Sequence, residues 1–297
     1  MNDSLILALN KNSEIIDLAI SEHYKKYNDP YTELVRTSEV YSLSAGGKRI
    51  RAFLVNEFCR ACGGDVKNSV SLALAVEMIH TFSLIHDDLP CMDDDDLRRG
   101  KPTNHKVFGE ATALLAGDSL AIRAFEVISK ESNLEVRSVV DAIAVLSESV
   151  SSEGMIGGQI IDMRGEKETL SFEELLALHS KKTGALIAAA AQLGCIAAGK
   201  GRNSAEFIAA TNYAKKIGLA FQIIDDILDV VGDEAVLGKP IGSDKECGKT
   251  TFATVMTVDK AREYAARLTE EAKAAIDSFC GSDELCALAD YLLTRDK

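Results

Sequence analysis

Apolar residues recur at helical spacing along nearly the whole chain, in stretches 69–86, 111–130, 136–153, 172–198, 205–231 and 260–279. No stretch sustains period-two alternation, and no Val/Thr-rich pair of runs is joined by an Asn-Gly turn. A sheet framework is therefore excluded. Breakers fall between the stretches, at Gly46-Gly47, Gly63-Gly64, Gly100-Lys101-Pro102, Gly157-Gly158 and Gly238-Lys239-Pro240. Several of the helices are apolar nearly all round, and such a helix must be enclosed by its neighbours. No composition shift marks a linker, and no repeat period is visible. The expectation is an all-α fold, a single domain over 1–297, with its helices gathered around a common centre.

The chain carries 33 basic and 46 acidic side chains, a formal charge of −13. A uniformly acidic protein repels nucleic acid and anionic membranes. An anionic ligand must then be captured by a local basic patch or through metal. The seven cysteines are odd in number and loosely spaced, which argues against a disulfide framework. Cys59 and Cys62 read as reduced thiols on an apolar helix. The longest uncharged run, 183–199, is shorter than the roughly 20 strongly apolar residues of a membrane span. The start, Met1-Asn2-Asp3-Ser4, has no basic, signal-like character. A cytoplasmic protein without stable membrane insertion is expected.

Two aspartate-rich clusters stand far apart. The first is Asp87-Asp88-Leu89-Pro90-Cys91-Met92-Asp93, followed by Asp94, Asp95, Asp96, Arg98 and Arg99. Pro90 cannot continue the helix that leads into it, so Asp87 and Asp88 fall in the last turn. On an unbroken helix Asp87 and Asp93 would face apart; the Leu-Pro-Cys-Met insertion can loop Asp93 back toward Asp87. Unneutralised carboxylates at the end of an apolar helix are costly, and the macrodipole disfavours anions at a C-terminus. A bound cation resolves both. Asp94 to Asp96 can be solvated surface alone.

In the second cluster, Asp225-Asp226-Ile227-Leu228-Asp229, Asp225 and Asp229 share a helix face, where like charges destabilise a bare helix. A second divalent-ion site explains the arrangement; an acidic stripe on an amphipathic helix is the plainer alternative. Hard oxygen donors at this density suit Mg2+. Basic residues beside them suit phosphate or diphosphate.

With Gly46-Gly47-Lys48-Arg49-Ile50-Arg51, Gly157-Gly158-Gln159-Ile160-Ile161-Asp162, Lys181-Lys182-Thr183-Gly184 and Phe221-Gln222-Ile223-Ile224-Asp225-Asp226, the chain resembles the short-chain trans-isoprenyl diphosphate synthases, the polyprenyl synthetase family. The resemblance implies a barrel of about ten long helices around a central active-site cavity, the isoprenoid synthase fold, and a homodimer. It implies head-to-tail condensation of isopentenyl diphosphate with dimethylallyl or geranyl diphosphate, releasing pyrophosphate. Metal ligands would come from Asp87, Asp88, Asp93, Asp225, Asp226 and Asp229, with about three Mg2+ ions around the bound allylic diphosphate. Arg98, Lys182, Lys239 and Lys249 would clamp that diphosphate. Thr183 and Gln222 would direct oxygen dipoles at the allylic cation, and Gln159 would do the same or bind diphosphate.

Lys48, Arg51, His80 and Arg99 would bind isopentenyl diphosphate through side-chain cations. Gly46-Gly47 supports this by allowing close backbone approach. The basic end, Arg295-Asp296-Lys297, would close over that site. Phe82 and Ser83, one turn or slightly more before Asp87, would line the tunnel that receives the growing chain. A bulky ring at Phe82 shortens it, and the expected product is farnesyl diphosphate. The alternatives are a geranylgeranyl or geranyl diphosphate synthase, or a non-catalytic subunit of a mixed synthase; such subunits usually lose one aspartate motif, and both are present. A terpene cyclase would carry a different second metal motif. A metal-dependent phosphohydrolase would want more than the five scattered histidines.

Overall fold

A computed structural model describes residues 3–231 and 250–295. Its helices are α1 (Asp3–Tyr24), α2 (Glu33–Leu43), α3 (Ile50–Ala61), α4 (Val70–Asp87), α5 (Asn104–Phe108), α6 (Glu110–Glu131), α7 (Val136–Val150), α8 (Met155–Gly165) and α9 (Phe172–His179). There follow α10 (Ala185–Ala197), α11 (Ala205–Val231), α12 (Phe252–Val255), α13 (Val258–Ala275) and α14 (Asp283–Thr294). A two-residue hairpin, β1 (Leu97–Arg98) with β2 (Lys101–Pro102), follows the first acidic cluster. It is too short to leave a period-two signal in the sequence.

The all-α expectation holds, and the helices apolar all round lie at the centre. On α4, Leu72 through Val76, Met78, Ile79, Phe82 and Ile85 are buried. On α10 the alanine-rich run is enclosed almost throughout. α4 packs against α3 and α6, and α10 against α3, α7 and α11. A second, smaller core joins α9, α11, α12 and α13 through Leu175, Ile223, Ile227, Phe252 and Ala265. None of the described helices is long and apolar enough to cross a membrane. Cys59 is buried, and the Cys62 thiol lies 3.6 Å from that of Cys195, both unoxidised; Cys247 lies outside the described residues.

The stretch 172–198, read as one helix, is divided. Ser171 opens it with a capping box to Glu174. After His179 the turn widens to π geometry over Ser180–Gly184 before α10 begins. One residue too many in a turn is invisible to apolar periodicity, and such bulges gather at functional sites.

Candidate active site

α4 ends as Pro90 requires. Asp87 is its last residue and Asp88 its C-cap. The chain then folds back, with Met92 N–H donating to the Leu89 carbonyl at 2.8 Å and Asp93 N–H to the Asp87 carbonyl at 2.8 Å. Asp87 and Asp93 are thus brought together. Burial pushes the Asp87 carboxyl up to about 6, with the Asp93 charge adding to the rise and Lys182 and Arg98 opposing it. Asp88 turns the other way: it is buried and accepts from Arg98 Nε at 2.6 Å. Arg98 also reaches Asp95 at 3.0 Å.

Beside Asp87 opens a cavity of about 490 Å³ walled by Phe82, Leu114, Ile156, Ile160, Met163 and Leu186, within the usual range for preformed ligand sites. Ser83, Gln159, Lys182 and Thr183 also face it, and the buried Gln159 Nε2 has no hydrogen-bond partner. The π turn sets Lys182 and Thr183 here. α8 permits this because residue 158 is glycine: a Cβ there would stand 2.2 Å from the Lys182 backbone nitrogen. Lys182 pairs with Asp162.

Lys182 and Thr183 also line a second, polar cavity with Gln222, Asp225 and Asp226, so the π turn stands between the two acidic clusters. Asp225 meets Arg295 at 2.5 Å. Asp226 is buried and accepts the Phe252 N–H at 2.7 Å, which holds α12 on α11. Asp229 is buried as well.

The remaining cations gather at the N-terminus of α3. Arg51 Nη1 lies 3.5 Å from His80 Nε2, and Arg99 donates to the Gly46 carbonyl. The Arg99 guanidinium occupies the space where a Cβ of Gly47 would stand, 2.8 Å away. Burial drives the His80 pKa well below its ordinary value, and Arg51, Arg99, Arg49 and Arg98 push it further. Burial and these positive neighbours together disfavour the protonated ring of His80. Lys48 lies over the Tyr291 ring at 4.9 Å. Lys239, Lys249 and Lys297 lie outside the described residues.

Of the basic end, only Arg295 lies among the described residues. Its guanidinium lies 3.8 Å above the Phe221 ring and binds Asp225 and the Phe221 carbonyl, at the second acidic cluster. Helix α14 packs against α11 and α13, which carries its last residue to the second acidic cluster. The sequence reading also passed over three residues. Arg49, buried in a left-handed conformation, ties α3 to Glu77 at 3.2 Å and Asp17 at 3.1 Å. Asp162 holds Lys182. His179 stacks on Phe252 at 5.2 Å and lies 3.9 Å from the Asp226 carboxylate; burial lowers its pKa to about 4. Its place three residues before Lys182 was the available signal.

The donor set suits a hard divalent ion, and a carboxyl raised by burial beside a second carboxylate gains from one. Among the described residues no three such side chains gather closely enough to hold an ion alone. Mg2+ does not require that, because it commonly takes one or two carboxylates and completes its shell with substrate phosphate and water.

A sequence profile of the family described as Polyprenyl synthetase matches residues 32–279. The chain belongs to the polyprenyl synthetase family. A farnesyl diphosphate synthase of Bacillus subtilis is 40% identical over 300 residues, covering 100% of both chains. A geranylgeranyl diphosphate synthase of Cyanophora paradoxa is 42% identical over 299 residues, 99% of this chain and 98% of that one. The crystal structure of an FPP/GFPP synthase from Zymomonas mobilis superposes with a TM-score of 0.87 at 34% identity, covering 99% and 100% of the two chains. The fold is that of the isoprenoid synthases. As a polyprenyl synthetase the chain carries out prenyl chain elongation: it is a prenyl diphosphate synthase.

Proposed function

We propose that this prenyl diphosphate synthase condenses isopentenyl diphosphate with dimethylallyl or geranyl diphosphate to make farnesyl diphosphate. The observation that carries the product assignment is the Phe82 ring, buried at 8% exposure in the wall of the cavity beside Asp87 on the same helix. A prenyl chain whose diphosphate sits at Asp87 runs into that ring as it grows.

In this reading Asp87, Asp93 and Asp225 hold Mg2+, with Asp88, Asp226 and Asp229 as further ligands or as orienting neighbours. When bound with the allylic diphosphate, Mg2+ supplies Lewis-acid stabilisation of the leaving group. Lys182 and Arg98 add fixed positive charge at that diphosphate, where preorganised cations act most strongly; the same role is assigned from the sequence to Lys239 and Lys249. Asp162 keeps Lys182 aimed. Thr183, Gln222 and Gln159 turn oxygen dipoles toward the allylic carbon that becomes electron-poor. Lys48, Arg51 and Arg99 hold isopentenyl diphosphate by charge, and His80 adds a hydrogen bond. The departing pyrophosphate takes the final proton. The working unit is one domain, a cytoplasmic homodimer.

The test is product chromatography after incubation of the purified chain with Mg2+, isopentenyl diphosphate and each allylic starter. Farnesyl diphosphate should dominate, and Phe82→Ala should move the distribution to longer chains. Geranylgeranyl diphosphate as the main wild-type product would overturn the chain-length reading, and an inactive purified chain would favour a subunit of a mixed synthase.

A further inference from the structure

Phe82 does not hold its place unaided. One turn along α4, the His86 imidazole meets the Phe82 ring edge-on, with centroids 5.5 Å apart and planes at 85°. On its far side, His86 Nε2 lies 3.0 Å from the Leu114 carbonyl of α6. A carbonyl only accepts, so Nε2 carries the proton and donates. The imidazole fits because residue 117 has no side chain. A Cβ on Gly117 would stand 2.1 Å from Nε2 and 2.4 Å from Cδ2 of His86. Phe82, His86 and Leu114 all face the large cavity. The imidazole is therefore fixed to α6 on one side and braces Phe82 on the other. Towards the cavity the Phe82 ring has open space; to turn out of the path of a growing chain it must move back into the space that His86 fills.

We propose that His86, seated in the gap left by Gly117, is a positioning residue for product length: it keeps the Phe82 ring across the path of the growing prenyl chain. This rests on the reading of Phe82 as the cavity's wall. His86 acts through Phe82 and through no reacting atom.

Product ratios are compared for the wild type, F82A, H86A, H86Q, G117A and H86A/G117A under identical saturating substrates. His86→Ala gives Phe82 room to swing aside, so the ratio of geranylgeranyl to farnesyl product should rise several-fold. His86→Gln, whose amide N–H can still reach the Leu114 carbonyl, should stay near the wild-type ratio. Gly117→Ala forces the imidazole off α6 toward Phe82, so products should shift several-fold toward geranyl. In H86A/G117A no imidazole remains to be displaced, and the geranyl shift should vanish.

A ratio of products is not moved by general loss of folded enzyme. If F82A leaves the products unchanged, the reading of Phe82 itself fails. If F82A lengthens the products while H86A and G117A leave them alone, the positioning role fails by itself. Persistence of the geranyl shift in the double variant overturns it too, because the methyl would then act on something other than the imidazole. Should G117A not fold, the contrast between H86A and H86Q decides.

Discussion

Asp87 and Asp88 are adjacent and meet different surroundings, because successive residues of a helical turn point about 100° apart. Asp87 faces the cavity, where burial and Asp93 raise its pKa. Asp88 faces inward, where burial likewise raises its pKa and Arg98, at 2.6 Å from Nε, opposes the rise. Removing one partner of a buried pair strands the other charge. Arg98→Ala should therefore destabilise the protein by about 3 kcal/mol, read as a fall in Tm on the order of 5–10 °C. Adding Asp88→Asn should recover most of that stability, since a neutral amide costs less to bury, without restoring turnover if Arg98 also meets diphosphate. Full activity in the double variant would remove Arg98 from the diphosphate site. The juxtaposition of Asp87 with Asp93 was legible in the sequence because Pro90 dictates a local turn. The bonds from Asp226 to Phe252, Asp162 to Lys182 and His86 to Leu114 were not, because each joins residues whose distance in space depends on the packing of whole helices.

Among the elements, the π turn Ser180–Gly184 is the one that periodicity missed and the site depends on. Had 172–198 been one regular α-helix, Lys182 and Thr183 would lie at α spacing from His179, and a single extra residue in a turn rotates all that follows. α8 supports the turn from outside through Gly158, and the close contact there is with backbone atoms that no rotamer change can move. Gly158→Ala should push the turn away, cost about 1–3 kcal/mol through overpacking, and lower kcat by far more than that loss of folded enzyme explains. Gly201→Ala is the control, since its Cβ would meet nothing within 4 Å; it should stay within about 0.5 kcal/mol of wild type with unchanged kcat. Equal kcat in the two variants would show that the turn does not need α8. The Gly157-Gly158 pair was visible in the sequence as a breaker, and its real role as a landing place for a distant turn becomes visible only when α8 and α9 are packed.

For the whole molecule, the sequence established most where it constrained most: helices apolar all round can only be enclosed, and α4 and α10 are. Composition was less direct about capture. A net charge of −13 should repel diphosphates, yet Arg51, Arg99, Arg49 and Arg98 converge around His80, whose pKa is lowered first by burial and further by these charges. Which of the two fields governs binding is decided by distance. The Debye length is about 8 Å at physiological ionic strength, so most of the dispersed acidic surface is already screened from a ligand held among these arginines. The local cluster should therefore win, and added salt should weaken binding. Raising NaCl from about 0.05 to about 0.5 M, which shortens the Debye length several-fold, should raise KM for isopentenyl diphosphate several-fold. Lys48→Ala should raise KM at low salt and flatten its dependence on salt, because one of the screened attractions is gone. A KM that falls as salt is added would mean that the acidic surface dominates capture, and the cationic cluster at the start of α3 would then lose its assignment to isopentenyl diphosphate.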